Sequence, residues 1–310
     1  MGINSVLGLV ALMSSLLPAQ DLSSIRDYSV IVSENFTTNS DVYGRTVVGG
    51  TLTVTNSANF ATGLDGKVSA SEKTVSIGGS LSNGNPIQVK AGGIEYGVSR
   101  GTRIINFSGG ATATHNPTGN YTSIYGHMVN ASIDLKALAA NSTVTKPGAQ
   151  PAPYVFQASP DANGLAVFNI TAAELFGNQK VQQIDLLING ATDFIINVAG
   201  SSINFQYGNL ASAFNNLSVI SSIVWNFYEA ETVNLGSKAF SGLILAPLAD
   251  VTVNGSIRGT IVAQNLTSGS RIDTPFYDGT FATAPVPEPS TMFSLIFGLG
   301  FLVIRRKRKG

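Results

Sequence analysis

Few side chains in this sequence are of types that perform chemistry, and their spacing limits what they can do. His115 and His127 sit in Thr114-His115-Asn116 and Gly126-His127-Met128. Neither belongs to an HExxH or paired-His spacing, so no metal or cofactor site is expected. No Gly-x-Ser-x-Gly elbow is present, although a Ser/His/Asp site can assemble from distant segments in any order. Glu229 and Glu231 lie two apart; in a strand they would share a face and could flank a cation or a sugar, and a solvated pair is the plainer reading. Asp41 and Arg45 are placed to form an ion pair at a turn. Thr51, Thr53 and Thr55 alternate, so in a strand their hydroxyls would form a row of the kind ice-binding surfaces carry. Such a surface needs rows stacked over several coils, and Thr112 with Thr114 offers a second instance. Trp225 lies in the apolar run Ile223 to Phe227, which reads as core rather than a sugar-stacking platform.

The elements that must position these groups are short strands. From Asp21 to Ala282, runs of β-branched and aliphatic residues alternate with Gly, Asn, Ser and Asp, the pattern of strands joined by tight turns. Tyr28 to Val32, Thr46 to Val54, Val75 to Ile77, Arg103 to Phe107, Phe194 to Val198 and Ile223 to Phe227 are examples. The fold class is therefore mainly all-β, a sandwich or a solenoid, and two local similarities favour a β-solenoid. Gly242-Leu243-Ile244-Leu245-Ala246 returns as Gly259-Thr260-Ile261-Val262-Ala263 at an offset of 17, which suits one coil and predicts parallel stacking. The Asn254-Gly255 turn between them supports the rival reading, an antiparallel hairpin. Val48-Gly49-Gly50-Thr51-Leu52 resembles Ile77-Gly78-Gly79-Ser80-Leu81, and more loosely Ser108-Gly109-Gly110-Ala111-Thr112; paired glycines there would let the backbone turn with φ above zero. Helix is sparse. Thr171-Ala172-Ala173-Glu174 reads as a capping box, with Gly177 as the stop. Ile133 to Ala140, flanked by Ser132 and Asn141, is a second candidate, and Lys146 to Pro153 is a Pro/Gly-rich loop.

Composition excludes some functions. Charged residues are 12% of the 310, with 18 Lys+Arg against 18 Asp+Glu, so no basic face is available for nucleic acid. Cysteine is absent, which removes disulfides, thiolate metal sites and a Cys nucleophile together. Both ends point to export. Val6 to Leu17 is an apolar run of signal-peptide length before Pro18-Ala19-Gln20, with cleavage expected after Ala19, although no Lys or Arg precedes it. At the other end Val286-Pro287-Glu288-Pro289 precedes an apolar stretch, Met292 to Ile304, and the basic cluster Arg305-Arg306-Lys307-Arg308-Lys309. A helix from Ser290 to Ile304 would reach ~22 Å, short of a ~30 Å hydrocarbon core. The basic cluster would act as a membrane stop and remain cytoplasmic, which places everything before Pro287 on the far side. The expected organisation is a signal peptide at 1–19, a β domain at 20–283, and a sorting segment with a transmembrane helix at 284–310.

The tail resembles the PEP-CTERM sorting signal in all three of its parts. That resemblance implies cleavage near Pro287 to Pro289 by an exosortase-type peptidase, a temporary membrane stay, and release to the cell surface or extracellular matrix. The domain also resembles a known family. Tyr28-Ser29-Val30-Ile31-Val32, Asn39-Ser40-Asp41-Val42-Tyr43-Gly44-Arg45, Trp225-Asn226-Phe227-Tyr228-Glu229-Ala230, Gly242 to Pro247 and Gly259 to Ala263 look like the choice-of-anchor A domain, in the right order. The stretch from Tyr121 to Pro153 departs from it. This second resemblance implies a β-solenoid adhesive domain similar in outline to ice-binding adhesins. The reading is a noncatalytic exported surface protein that binds an extracellular polysaccharide or matrix protein. An ice- or carbohydrate-binding module is one alternative, and a secreted polysaccharide-degrading enzyme, with convergent carboxylates or basic residues in a cleft, is another. The Asn-x-Thr triplets Asn35-Phe36-Thr37 and Asn265-Leu266-Thr267 read as turns.

Overall fold

The computed structural model describes residues 22–279. The proposed signal peptide and the tail segments from Val286 to Lys309 lie outside the described residues. A short 3-10 turn leads into β1 (Tyr28–Val32), β2 (Phe36–Thr38), β3 (Arg45–Val48), β4 (Leu52–Val54), β5 (Asn59–Phe60), β6 (Lys73–Ile77), β7 (Ile87–Val89), β8 (Gly93–Tyr96), β9 (Ile105–Phe107) and β10 (Ala113–His115). The helix α1 (Ser123–Lys136) follows, then β11 (Thr143–Thr145), β12 (Ala152–Gln157), β13 (Leu165–Thr171), α2 (Ala172–Leu175), β14 (Val181–Leu187), β15 (Asp193–Ala199) and β16 (Ser202–Asn204). The last coils comprise α3 (Leu217–Ile220), β17 (Ile223–Asn226), β18 (Thr232–Asn234), β19 (Phe240–Ser241), β20 (Leu243–Val253), β21 (Ile257–Arg258), β22 (Ile261–Ser268) and β23 (Ile272–Asp273).

Apart from β11, which pairs antiparallel with β12, these strands form a parallel β-solenoid whose coils are not stacked in chain order. One ladder runs β10-β8-β6-β3-β1-β22-β20-β17-β15-β13, so the first strand lies in the middle, hydrogen-bonded to the last coil. The chain therefore winds outward from β1 to β10 and crosses back along α1. It then winds inward until Val30, Ile31 and Val32 meet Ile261, Val262 and Ala263. The 17-residue repeat stacks as expected: Ile244, Leu245 and Ala246 pair in parallel with Ile261, Val262 and Ala263. The Asn254-Gly255 turn makes no hairpin, because both amides donate to Gly236 O of the preceding coil.

Each full coil contributes to three faces. Beside the ladder just described, a second runs β16-β18-β20-β22-β2-β4, using the carboxy-terminal halves of β20 and β22. A third joins Phe240, Ile257 and Ile272 through Val42 to Phe60, Val89 and Phe107. Inward side chains form one core, aliphatic around Val30, Val48, Val75 and Ile94 and aromatic around Trp225. Trp225 is fully buried against Phe156, Phe176, Phe214 and Phe240 and donates Nε1–H to Ser241 O at 3.0 Å, which confirms its core role.

The helix α1 covers part of the first face. Its buried residues Met128, Ala131, Ser132 and Leu135 recur at i, i+3, i+4 and i+7, one apolar stripe. They pack on the outward residues Ile31, Val262, Leu245, Val224, Ile195 and Val167. Strands covered on both sides need no polar alternation, and β1 and β17 are accordingly buried at almost every position. At the end of the helix, Asn169, Asn197 and Asn226 stack in register. Asn226 Nδ2 donates to Ser132 O, Asn197 Nδ2 donates to Leu135 O, and Ser132 Oγ bonds to Asn226 Oδ1 at 2.6 Å.

Several expectations need correction. The second helix is not Ile133 to Ala140 but Ser123–Lys136; the helix start at Thr171 is present as α2, with Thr171 Oγ1 accepting from Glu174 N at 3.3 Å, while the Glu174 carboxylate accepts from Lys146 and Tyr154. The glycine pairs Gly49-Gly50 and Gly78-Gly79 do not turn with positive φ; only Gly109 and Gly110 do, at 68° and 78°, in a turn with nothing within 4 Å. The first two pairs are instead required by close stacking: a Cβ on Gly49 would lie 2.0 Å from Ser33 O, and one on Gly78 2.3 Å from Gly49 O. The third member of that rank is Gly97, against Gly78 O, not Gly109.

Candidate functional site

The second face carries the candidate site. Along it the inward positions are Ile203, Val233, Val251, Leu266, Phe36 and Leu52, all buried. Because side chains alternate across a strand, the residues on either side of each point outward. One outward rank reads Asn204, Asn234, Thr252, Thr267, Thr37 and Thr53 over six stacked strands. At about 4.8 Å per strand it extends ~24 Å. The second rank reads Ser202, Thr232, Asp250 and Asn265, and hydrogen bonds continue it through Asn35 to Thr51.

The two ranks differ in what their polar atoms already do. In the second, Asn265 Nδ2 donates to Glu34 Oε2 at 3.1 Å and to Asp250 Oδ1 at 2.9 Å. Asn265 Oδ1 accepts from Asn35 N, and Asn35 Oδ1 accepts from Thr51 N. Hydrogen bonds from Gln264 and Asn265 hold the Glu34 carboxyl below its ordinary value. This rank is a mutually bonded amide and carboxylate ladder. In the first rank, the hydroxyls of Thr37, Thr53, Thr252 and Thr267 have no hydrogen-bond partner among the described residues, and all four are at least partly exposed. Threonine is stiff at χ1, so these hydroxyls hold a regular row without internal bonds.

The structure divides the threonine row expected from sequence. Thr51 and Thr53 point outward from β4, but Thr55 lies in the turn beyond it, its amide bonded to Thr38 O. Thr114 belongs to the outer rank of the first face, so it is not a second row of the same surface. The stacked rows come from Thr37, Thr252 and Thr267 instead. Reading them from sequence requires the coil order, because Thr37 and Thr267 are neighbours only where the chain's beginning meets its end. A local signal does exist: Ser202-Ile203-Asn204, Thr232-Val233-Asn234, Asp250-Val251-Thr252, Asn265-Leu266-Thr267, Asn35-Phe36-Thr37 and Thr51-Leu52-Thr53 are one polar-apolar-polar triplet repeated. The two Asn-x-Thr triplets expected as turns are thus strands.

Other candidate groups take structural roles. His115 stacks on Tyr96 with ring centroids 5.3 Å apart, and its Nε2 lies 3.0 Å from Gly97 O. Glu229 is in a turn, where it accepts from Gly200 N at 2.7 Å, so it shares no strand face with Glu231. Asp41 and Arg45 do not pair: Asp41 binds the amide and side chain of Asn59, and Arg45 binds Glu72 at 2.6 Å. Among the described residues no three acidic or histidine side chains converge.

Residues 21–274 match a family model described as "Putative Ice-binding-like adhesive domain". The chain belongs to this family of ice-binding-like adhesive domains. Residues 285–309 match the PEP-CTERM protein-sorting motif, which implies processing by an exosortase-type enzyme. The ice-binding-like adhesive domain and the sorting signal together identify an exported, surface-associated protein, and domains of this kind are typically noncatalytic. Two solved structures are similar. One is the ice-binding protein from the Antarctic ascomycete Antarctomyces psychrotrophicus, at 12% identity over 84% of this chain and 99% of that one, with a TM-score of 0.33. The other is an ice binding protein from an Antarctic Biological Consortium, at 12% identity over 85% and 95%, with a TM-score of 0.31. No match is found among curated proteins. Among the described residues no helix is long and apolar enough to cross a membrane.

Proposed function

We propose that this ice-binding-like adhesive protein is an adhesin of the choice-of-anchor A kind, and that its open face binds an extracellular polysaccharide. The observation that carries this reading is the rank from Asn204 to Thr53, a row of outward amides and unpartnered hydroxyls at one spacing on a backbone hydrogen-bonded along its length. A ligand with its own regular hydroxyls can meet such a row at several points at once. Little ordering is left to do on binding, since the rank is already held, so individually weak contacts add. Glu34 and Asp250 beside the row are acceptors for sugar hydroxyls. Ice is the second reading, favoured by the uncharged regularity of the first rank. The carboxylates of Asp250 on the adjoining rank and of Glu34 bonded to it favour a polymer. The discriminating experiment is retention of the mature protein on insoluble polysaccharides, with ice recrystallisation assayed in parallel. Retention without recrystallisation inhibition is expected, and inhibition without retention would make ice the ligand.

The domain 20–283 is placed outside by its ends in this reading. Residues 1–19 act as the leader. Val286-Pro287-Glu288-Pro289 is the processing signal, kept extended by prolines that fix φ and restrict the residue before each. Met292 to Ile304 is a transient anchor stopped by Arg305, Arg306, Lys307, Arg308 and Lys309. Mass spectrometry of the surface protein from its native host should find a carboxy terminus lacking Phe293 to Lys309. An intact tail would mean a permanent anchor.

A further inference from the structure

The outer rank that α1 covers does not end where the helix does. Past Val262, Ile31 and Val47 it continues through Ser76, Glu95 and Thr114, so an apolar strip becomes a polar one within a single ladder. Here the first turn of α1 stands over the sheet and leaves a cavity of about 440 Å³, floored by Ser76, Glu95 and Lys73 and walled by Tyr121, Tyr28 and His127. That volume is in the usual range for small-molecule sites.

Its groups are held rather than loose. Ser76 Oγ donates to Glu95 Oε1 at 2.8 Å and Asn116 Nδ2 donates to Oε2 at 3.2 Å. A carboxylate has about four acceptor positions, so Glu95 keeps capacity for further donors. Lys73 forms no ion pair among the described residues, and its Nζ lies 3.3 Å from where a Cβ on Gly93 would be. A fixed acceptor and an unpartnered donor thus share one floor. Tyr121 is fixed as well: its hydroxyl donates to Asn116 O at 2.7 Å, and it lies across Gly78 and Gly97, where added Cβ atoms would come within 3.2 and 3.4 Å of it. The glycine rank therefore has a second purpose beyond coil stacking, since it lets this aromatic wall settle against the sheet.

The geometry points to a second binding site, separate from the open face, that holds one pyranose unit of a neutral glycan. Vicinal hydroxyls both donate and accept, which suits Glu95 beside Lys73, and the apolar C–H face of a sugar suits a tyrosine ring. With one charge of each sign on the cavity, a ligand with a net charge of its own gains no overall attraction there.

The test is titration of the full chain, kept in a detergent without a sugar headgroup, followed by ligand-observed NMR. The probes are hexamers of β-1,4-glucose, β-1,4-mannose and β-1,4-galactose, with hexagalacturonate as the anionic arm and hexaglucosamine as the cationic arm. At least one neutral hexamer should bind, and Glu95→Gln should weaken it about tenfold or more. Lys73→Met should weaken it too, and it removes a group with no protein partner, so the fold is kept even if Glu95→Gln disturbs it. Thr37→Val with Thr267→Val should leave this binding unchanged. The assignment is overturned if no neutral hexamer binds, or if a charged hexamer binds more tightly than every neutral one. It is equally overturned if the Thr variants abolish binding while Glu95→Gln and Lys73→Met do not.

Discussion

Strand β20 passes through two faces, and its outward residues meet opposite fates. Leu245 lies under α1 and is fully buried, whereas Thr252, on the same strand past a register shift, points into solvent. Their inward neighbours, Ile244, Ala246, Val251 and Val253, enter the same core. The backbone therefore does not decide which face is for stability and which is left free. The outer rank decides it. Ile31, Val262 and Leu245 demand a cover, and Thr37, Thr267 and Thr252 do not.

The largest test of that contrast is truncation. Leu245→Ala removes buried apolar volume against the helix and should cost about 2–5 kcal/mol in denaturant unfolding, whereas Thr252→Ala should change stability by less than about 0.5 kcal/mol. Equal losses at the two positions would show that the open face is also a packed one. The asparagine ladder comes next, since it is the polar end of the covered rank. Asn226→Ala leaves Ser132 O and Asn197 Oδ1 without their buried donor, and should cost about 1–3 kcal/mol. Thr252→Asn, which only extends the exposed ladder begun by Asn204 and Asn234, should fall within the noise of the same measurement.

Acid should act more gently. The Glu34 carboxyl is held below the ordinary 4.5 by Gln264 and Asn265, and that of Glu72 by Arg45. Burial alone would raise Glu174, but hydrogen bonds from Lys146 and Tyr154 outweigh it and keep it low. All three folded-state values are depressed, so their stabilisation is complete above the unfolded carboxylate value and is lost as pH falls through the folded ones. The melting temperature should stay level from pH 7 to about 5 and decline below about 4.5. A rise on acidification would contradict the depression of these three carboxyls. Glu34→Gln should flatten part of the decline and lower neutral-pH stability by the same amount, which is small because Glu34 is exposed.

The solenoid is legible in sequence because its evidence is local. Gly242 to Ala246 and Gly259 to Ala263 are adjacent coils in the chain and in space, so their 17-residue offset is the coil itself. The cap that Thr171 places on Glu174 N is also local. The helix α1 is displaced toward its end in a sequence reading because Ser123, Gly126 and His127 dilute its stripe, and its last carbonyls are capped by tertiary bonds from Asn197 and Asn226. The site is least legible. Its rows join Thr53 and Thr37 to Thr267 and Thr252 across the junction where the chain's two ends meet, and no offset in the sequence encodes that adjacency. Alternation alone finds Thr51 and Thr53 as a row, but it points to sequence neighbours such as Thr112 and Thr114 for the coils beside them, and those lie elsewhere.

Whether the unpartnered threonine rank is the binding surface is tested most directly by one measurement. It is retention on insoluble polysaccharide of the mature protein carrying Thr37→Val, Thr53→Val, Thr252→Val and Thr267→Val together, compared with the unaltered protein. Valine keeps the branched shape and β propensity of threonine and replaces only the hydroxyl, with a methyl group. The prediction is an unchanged melting temperature within a few degrees and loss of most retention. Retention equal to that of the unaltered protein, in a variant that melts normally, would contradict the threonine rank as the binding surface.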